Sequence, residues 1–192
     1  MWERLQAGET FCVDLHEPAR VAGSPAALLP GSFNPLHHGH TALARAASVH
    51  LGVAVHFELS IVNADKAELP RREVMRRVTP VAAVAPVWIT RAPTFAAKAA
   101  LFPGAAFVLG WDTAVRVIDP KYYDGEAGRD AALRTLLERG SRLVVGGRVD
   151  ASGAFRTWDA GAVAAEFAAL FVALAEADFR ADVSSTELRR NV

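Results

Sequence analysis

Cysteine is almost missing from this chain: Cys12 stands alone in 192 residues. A single thiol excludes an intramolecular disulfide and any zinc site built on several cysteines, and it points to a reducing compartment. An excess of one charge is missing as well. Lys plus Arg and Asp plus Glu each number 21, for a net charge of zero, which excludes the broad positive field of a non-specific nucleic-acid binder. No basic stretch followed by an apolar run opens the sequence, so no secretory signal is expected. The longest greasy segment, Ala160–Ala175, is interrupted by Glu166 and is too short to span a bilayer. Neither GxxxxGK[ST] nor GxGxxG occurs, which removes the two commonest glycine-rich phosphate loops. These absences lead us to expect a soluble cytoplasmic protein with neither a membrane nor a nucleic acid as partner.

The composition is 52% hydrophobic and 22% charged, that of a globular chain, and the length suits one domain with its own core. Residues 1–25 are broken up by Pro18, Gly23 and Pro25 and read as an N-terminal extension packed on a domain spanning 26–192. Within that domain, strand-like and helix-like pieces alternate. Strands are expected at Ala26–Leu29, Val53–Leu59, Val87–Thr90, Ala106–Leu109 and Arg142–Val145. Helices are expected over 40–51, Pro70–Val78, Thr94–Leu101, from about Asp112, over Asp130–Glu138, and from near Ser184. Arg148–Thr157, with Ser152-Gly153 at its centre, could be a hairpin. Residues 160–175 put Val163, Phe167, Leu170, Phe171 and Leu174 on one stripe. This alternation predicts an α/β fold: a Rossmann-like, mainly parallel sheet with helices on both faces. Ligands in such sheets bind beyond the carboxyl ends of the strands.

The turn after the first of these strands reads Gly31-Ser32-Phe33-Asn34-Pro35-Leu36-His37-His38-Gly39-His40. A strand runs into a glycine turn, a proline-stiffened loop and a helix start. The helix start offers free N–H groups and a partial positive charge, and Gly31 allows close backbone approach, so the turn is suited to phosphate. A plain tight turn with solvated histidines is the competing reading, and three histidines in four positions count against it. His37 and His40 could share a face toward a metal, but no nearby carboxylate or thiolate completes such a site.

GSFNPLHHGH resembles the GxFxPxHxGH signature of the HxGH nucleotidylyltransferase superfamily. Val183-Ser184-Ser185-Thr186-Glu187-Leu188-Arg189 resembles its second signature, ISSTxIR, about 145 residues later. Between them, the segment Leu59–Lys66 and the Gly110-Trp111-Asp112 turn resemble the SxxN…K and GxD segments of the nicotinamide-mononucleotide adenylyltransferase-like branch. The run Ala92-Pro93-Thr94-Phe95 and the sequence Leu101-Phe102-Pro103 also fit it. The resemblance covers about residues 26–190. It implies transfer of a nucleotidyl group from a nucleoside triphosphate to a phosphorylated acceptor, with release of pyrophosphate and no covalent intermediate, so that catalysis is positioning and charge stabilisation.

Carried over position by position, the resemblance implies that His37 and His40 contact the triphosphate, His40 at the α-phosphate, while His38 points away. The backbone of Gly31, Ser32 and Phe33 would lie against phosphates. Ser184, Ser185 and Thr186 would open the last helix toward the β- and γ-phosphates, with Arg189 as a clamp; taken alone, that segment is also a plain capped helix. Asp112, following Gly110, would accept ribose hydroxyls, and it can equally cap the next helix. Asn63 and Lys66 fall to the acceptor, although an isolated loop lysine is as readily solvated. Trp111 is the candidate ring for stacking, whereas Trp88 reads as core. The cluster Arg71, Arg72, Arg76 and Arg77 reads as a solvated helix face, and Cys12 as an apolar filler. The segment Lys121–Gly125 is either a lid or a surface loop.

The expected partners are therefore ATP and a small phosphorylated acceptor such as nicotinamide mononucleotide. No metal site made of protein ligands is expected; Mg²⁺ would arrive with the triphosphate. Alternatives with the same motifs are a cytidylyltransferase, another acceptor, or a protein that binds or slowly hydrolyses ATP without transfer. A homo-oligomer is compatible with the sequence.

Overall fold

The computed structural model describes residues 2–13, 24–62, 67–150 and 152–180. The chain opens with α1 (Trp2–Gln6) and β1 (Phe11–Val13), then β2 (Ala27–Pro30), α2 (His38–Leu51), β3 (Val55–Ser60), α3 (Arg71–Ala82) and β4 (Val87–Thr90). It continues with α4 (Phe95–Leu101), β5 (Ala106–Gly110), α5 (Trp111–Ile118), α6 (Gly125–Glu138) and β6 (Arg142–Gly146). A two-stranded hairpin, β7 (Arg148–Val149) and β8 (Phe155–Arg156), and a last strand β9 (Phe171–Ala173) follow.

Among the described residues seven strands form the main sheet, in the order β1-β4-β3-β2-β5-β6-β9. The six strands from β4 to β9 are parallel to their neighbours, and β1 adds an antiparallel edge, Phe11 opposite Ile89 and Val13 opposite Val87. Counting only the parallel strands in chain order gives 3-2-1-4-5-6, the doubly wound order whose direction reverses beside β2. That reversal makes β2 the central strand and leaves a crevice at its carboxyl end.

Each strand alternates its side chains between two cores, as a period of two requires. Ala27, Leu29, Phe57, Ala106 and Val108 face α2 and α3, meeting Leu43, Ala47, Val74 and Val78. Leu28, Phe107, Leu109, Leu143 and Val145 face the other way, onto Ala99, Ala114, Val117, Leu133 and Leu136 of α4, α5 and α6. The sheet is thus covered on both faces, as parallel sheets must be.

Three elements differ from the sequence expectation. Helix α3 runs four residues past Val78, through Pro80. Val81 and Ala82 complete its buried stripe, and their burial outweighs the hydrogen bond that proline removes. Helix α6 starts at Gly125 and not at Asp130. The stripe over 160–175 is not one helix. It breaks into short 3-10 turns at Ala160–Ala162 and Ala165–Leu170 and then a strand. The open edge of β6 takes up Phe171, Val172 and Ala173 as a parallel partner, and the Phe171 ring stacks on Trp158 at 3.9 Å. Sheet completion here overrides a helical period in an alanine-rich segment.

Residues 148–157 form the expected hairpin around Ser152-Gly153. The N-terminal segment supplies α1, with Leu5 buried, and the edge strand β1; the side chain of Cys12 lies outside the described set. The start of a helix near Ser184 also lies outside the described residues.

Candidate active site

The loop after β2 is built on two glycines and one strained phenylalanine. Gly31 donates its N–H to the Glu58 carbonyl at 2.9 Å, continuing the ladder beyond β2. A Cβ at Gly31 would lie 2.6 Å from the Phe33 ring, so no larger residue fits without displacing that ring. Phe33 has a φ of +42°, the only positive φ at a non-glycine among the described residues, a backbone state that bulky residues rarely adopt. It persists because the ring is buried, edge-on to both Phe57 and His40 at 5.3 Å. The Phe33 side chain is therefore spent on packing, and its backbone is the part the loop presents. The Asn34–Pro35 peptide is cis.

Helix α2 begins at His38, with His37 as its extended N-cap. The His37 N–H donates to Nδ1 of His40 at 3.3 Å, and the His40 N–H donates to the His37 carbonyl at 3.0 Å. Gly39 makes room: a Cβ there would sit 3.1 Å from the His37 ring. The two rings lie 3.8 Å apart, tilted by 33°. Burial, and secondarily the charge of His37, push the His40 imidazole down to about 4. At neutral pH His40 is thus uncharged, and because Nδ1 accepts, its hydrogen sits on Nε2. His38 is exposed.

Helix α3 braces this loop. Arg77 donates to the Ser32 carbonyl at 3.1 Å, and Arg76 to Asn34 Oδ1 at 2.5 Å. Both are gathered by Glu73, and the hydrogen bonds from Arg76 and then Arg77 hold its carboxyl down at about 2. The sequence reading of these arginines as a solvated helix face is corrected for Arg77, whose side chain is 13% exposed. Arg71, Arg72 and Arg76 are exposed, and Arg76 reaches Asn34 from that solvated face.

A cleft of about 350 Å³ opens beside the loop, between Gly31 and Ser32, the end of β3, the start of α4, and Thr113 and Arg116 of α5. Glu58 and Lys98 also line it. Glu58 is 1% exposed and Lys98 6%. The ammonium lies 2.9 Å from Oε1 and 2.8 Å from Oε2, and the Thr90 hydroxyl donates to Oε1 at 2.6 Å. Sequence reasoning missed this group, although a signal exists: Glu58 is the single carboxylate in an apolar strand, and Lys98 the single cation in an alanine-rich helix.

The GxD turn lies at the end of β5, the strand parallel to and beside β2. Asp112 is half exposed and ion-paired with Arg148 from β7. Trp111 is partly buried, packed against the core under α5. Trp88 is likewise packed, edge-on to Phe102, with its indole N–H donated to His56 at 3.1 Å. Tyr123 donates to the Val117 carbonyl at 2.8 Å, and no residue from 119–128 lines the cleft. Asn63, Lys66, Ser184, Ser185, Thr186 and Arg189 lie outside the described residues. The structure thus brings Gly31, Ser32, Phe33, His37 and His40 together at the carboxyl end of β2, with Gly110 and Asp112 at the end of the adjacent strand.

Among the described residues no group of three or more His, Cys, Asp and Glu could hold a metal ion, and no helix is long and apolar enough to cross a membrane. No curated protein matches the chain significantly. A family model described as cytidylyltransferase-like matches residues 28–191, from β2 through the segment holding the second motif. That match covers the greater part of the chain, and with the doubly wound sheet and the histidine loop at its switch point, the chain belongs to the cytidylyltransferase-like family of HxGH nucleotidylyltransferases.

Proposed function

We propose that the protein transfers an adenylyl group from ATP to a small phosphorylated acceptor such as nicotinamide mononucleotide, releasing pyrophosphate. The observation that carries this reading is the state of His40. Its Nδ1 is occupied by the His37 N–H, so a neutral imidazole at the start of α2 has a single donor left, the Nε2–H. A fixed donor beside a helix N-terminus suits charge that develops on the α-phosphate during transfer.

In this reading an acceptor phosphate oxygen attacks the α-phosphorus in line, and the bond to the β-phosphate bridging oxygen breaks. The backbone of Gly31, Ser32 and Phe33 lies against the phosphates. Asp112, beside Arg148, receives the ribose hydroxyls. Ser184, Ser185, Thr186 and Arg189 hold the β- and γ-phosphates, and Asn63 and Lys66 the acceptor phosphate. Mg²⁺ would enter with the triphosphate and offset its charge. The single cysteine fits a cytoplasmic setting.

A second reading, CTP as donor, takes its support from the family description. A pyrophosphate-release screen of ATP and CTP against phosphorylated acceptors separates the two. ATP with a mononucleotide acceptor is expected to give the highest kcat/KM. Faster turnover with CTP would move the protein to the second reading. Release that does not depend on any acceptor would leave only hydrolysis.

A further inference from the structure

The Glu58–Lys98 pair is the one ion pair among the described residues whose two side chains are both more than nine-tenths buried. Removing two charges from water is unfavourable, and an apolar pair of the same volume is often as stable or more so. Stability alone therefore gives no reason for this pair. Its place does: both residues line the cleft beside the histidine loop, and the Glu58 carbonyl is the acceptor for Gly31. The cleft thus borders both the pair and the loop.

The hydrogen-bonding capacity of the group is nearly used up. Lys98 has three N–H groups and three oxygens around it: Oε1 and Oε2 of Glu58, and the Ala92 carbonyl at 2.7 Å. The Thr90 hydroxyl donates to Oε1 and accepts the Ala92 N–H at 3.1 Å. Glu58 Oε1 has two donors. Glu58 Oε2 meets the ammonium only side-on and takes no well-angled hydrogen bond. What remains is one accepting oxygen, Oε2, on a fixed carboxylate, beside the one N–H of Lys98 that makes no well-angled hydrogen bond.

We propose that Glu58, held by Lys98 and Thr90, selects the acceptor by taking a hydrogen bond from an uncharged N–H group on its ring, a carboxamide or an amine. An acceptor with a carboxylate at that place sets a like charge against Oε2 and brings no N–H to it. This rests on the transferase reading above, and adds to it which acceptors the cleft takes.

Two mononucleotides that differ only at this group, nicotinamide mononucleotide and nicotinate mononucleotide, test it on the full chain. Equilibrium binding is measured by calorimetry without ATP, and kcat/KM by pyrophosphate release. The amide is expected to bind about 10- to 100-fold tighter than the acid, the range of a hydrogen bond to a charged group. Glu58→Gln alone would strand a buried lysine, so the decisive variant is Glu58→Gln with Lys98→Met, its folding checked by thermal unfolding. There the preference is expected to fall to within about threefold, with Kd for the amide raised. Equal binding of the two ligands by the wild type, a preference for the acid, binding of neither, or an unchanged preference in the folded double variant would each overturn the proposal. Amide-selective binding with no pyrophosphate release would instead uphold the selectivity and refute the transferase reading.

Discussion

The backbone N–H of His37 donates to Nδ1 of His40, and that single contact decides which nitrogen of His40 can face a substrate. With Nδ1 occupied and the imidazole pushed down to about 4, His40 presents an Nε2–H and no positive charge across the neutral range. It meets developing charge as a hydrogen-bond donor. Phe33, edge-on to the same ring, keeps it from turning away.

A pH dependence follows. The unfolded chain binds a proton at this position near pH 6.5, whereas the folded chain accepts one only near pH 4. The stability that depends on His40 being neutral is complete above about 6.5 and is lost as pH falls from there to 4. Discounted for partial exposure, the loss is about 2 kcal/mol. Urea midpoints at a series of pH values should fall less steeply for His40→Gln than for the wild type. An imidazole resonance that titrates near 6.5 in the folded protein would contradict the assignment.

Replacing His40 by Ala should lower kcat by about 10²–10³ while leaving the KM for ATP nearly unchanged, because the donor acts on charge that appears only during transfer. His38→Ala should leave both near wild type, since His38 is exposed on the first turn of α2. A more damaging His38→Ala would show that the two histidines exchange roles.

How much of this was legible in the sequence depends on the distance over which each feature is encoded. The histidine loop is contained in ten consecutive residues, and its strand–turn–helix setting follows from the apolar run before it and the Leu43/Ala47 stripe after it. The strands at Val87–Thr90 and Arg142–Gly146 are local in the same way. The Glu58–Lys98 pair joins residues 40 apart; their meeting requires β3 beside β4 with α4 above them, an order that no local pattern states. The brace from Arg77 was missed for the same reason, because its partner Ser32 lies 45 positions away. Phe171 shows the opposite failure. Its local pattern was clear and helical, and the vacant edge of β6 overrode it.

Asp112 is held by Arg148 at the surface, so its loss should separate binding from stability. Exposed ion pairs contribute little, and Asp112→Ala should cost under about 1 kcal/mol in unfolding free energy. If Asp112 receives the ribose, the same variant should raise the KM for the nucleoside triphosphate about tenfold or more, with a smaller change for the 2′,3′-dideoxy analogue. Equal losses with both nucleotides would mean that Asp112 acts only by placing Arg148.

Arg77 should matter more than Arg76, although both reach the loop. The Arg77 side chain is 13% exposed and spans from Glu73 to the Ser32 carbonyl, whereas that of Arg76 is 53% exposed. An exposed contact competes with water and with side-chain entropy; a buried fork loses less. Arg77→Met keeps most of the packing but frees the Ser32 carbonyl, and should raise the KM for the triphosphate about tenfold. Arg77→Lys should rescue little, because an ammonium cannot reproduce the guanidinium's donation to both partners. Arg76→Ala should change KM less than about threefold. The comparison is made by initial-rate kinetics on folded variants. If Arg76→Ala proves the worse of the two, the loop is held through Asn34 and not through Ser32, and the brace assigned to Arg77 is wrong.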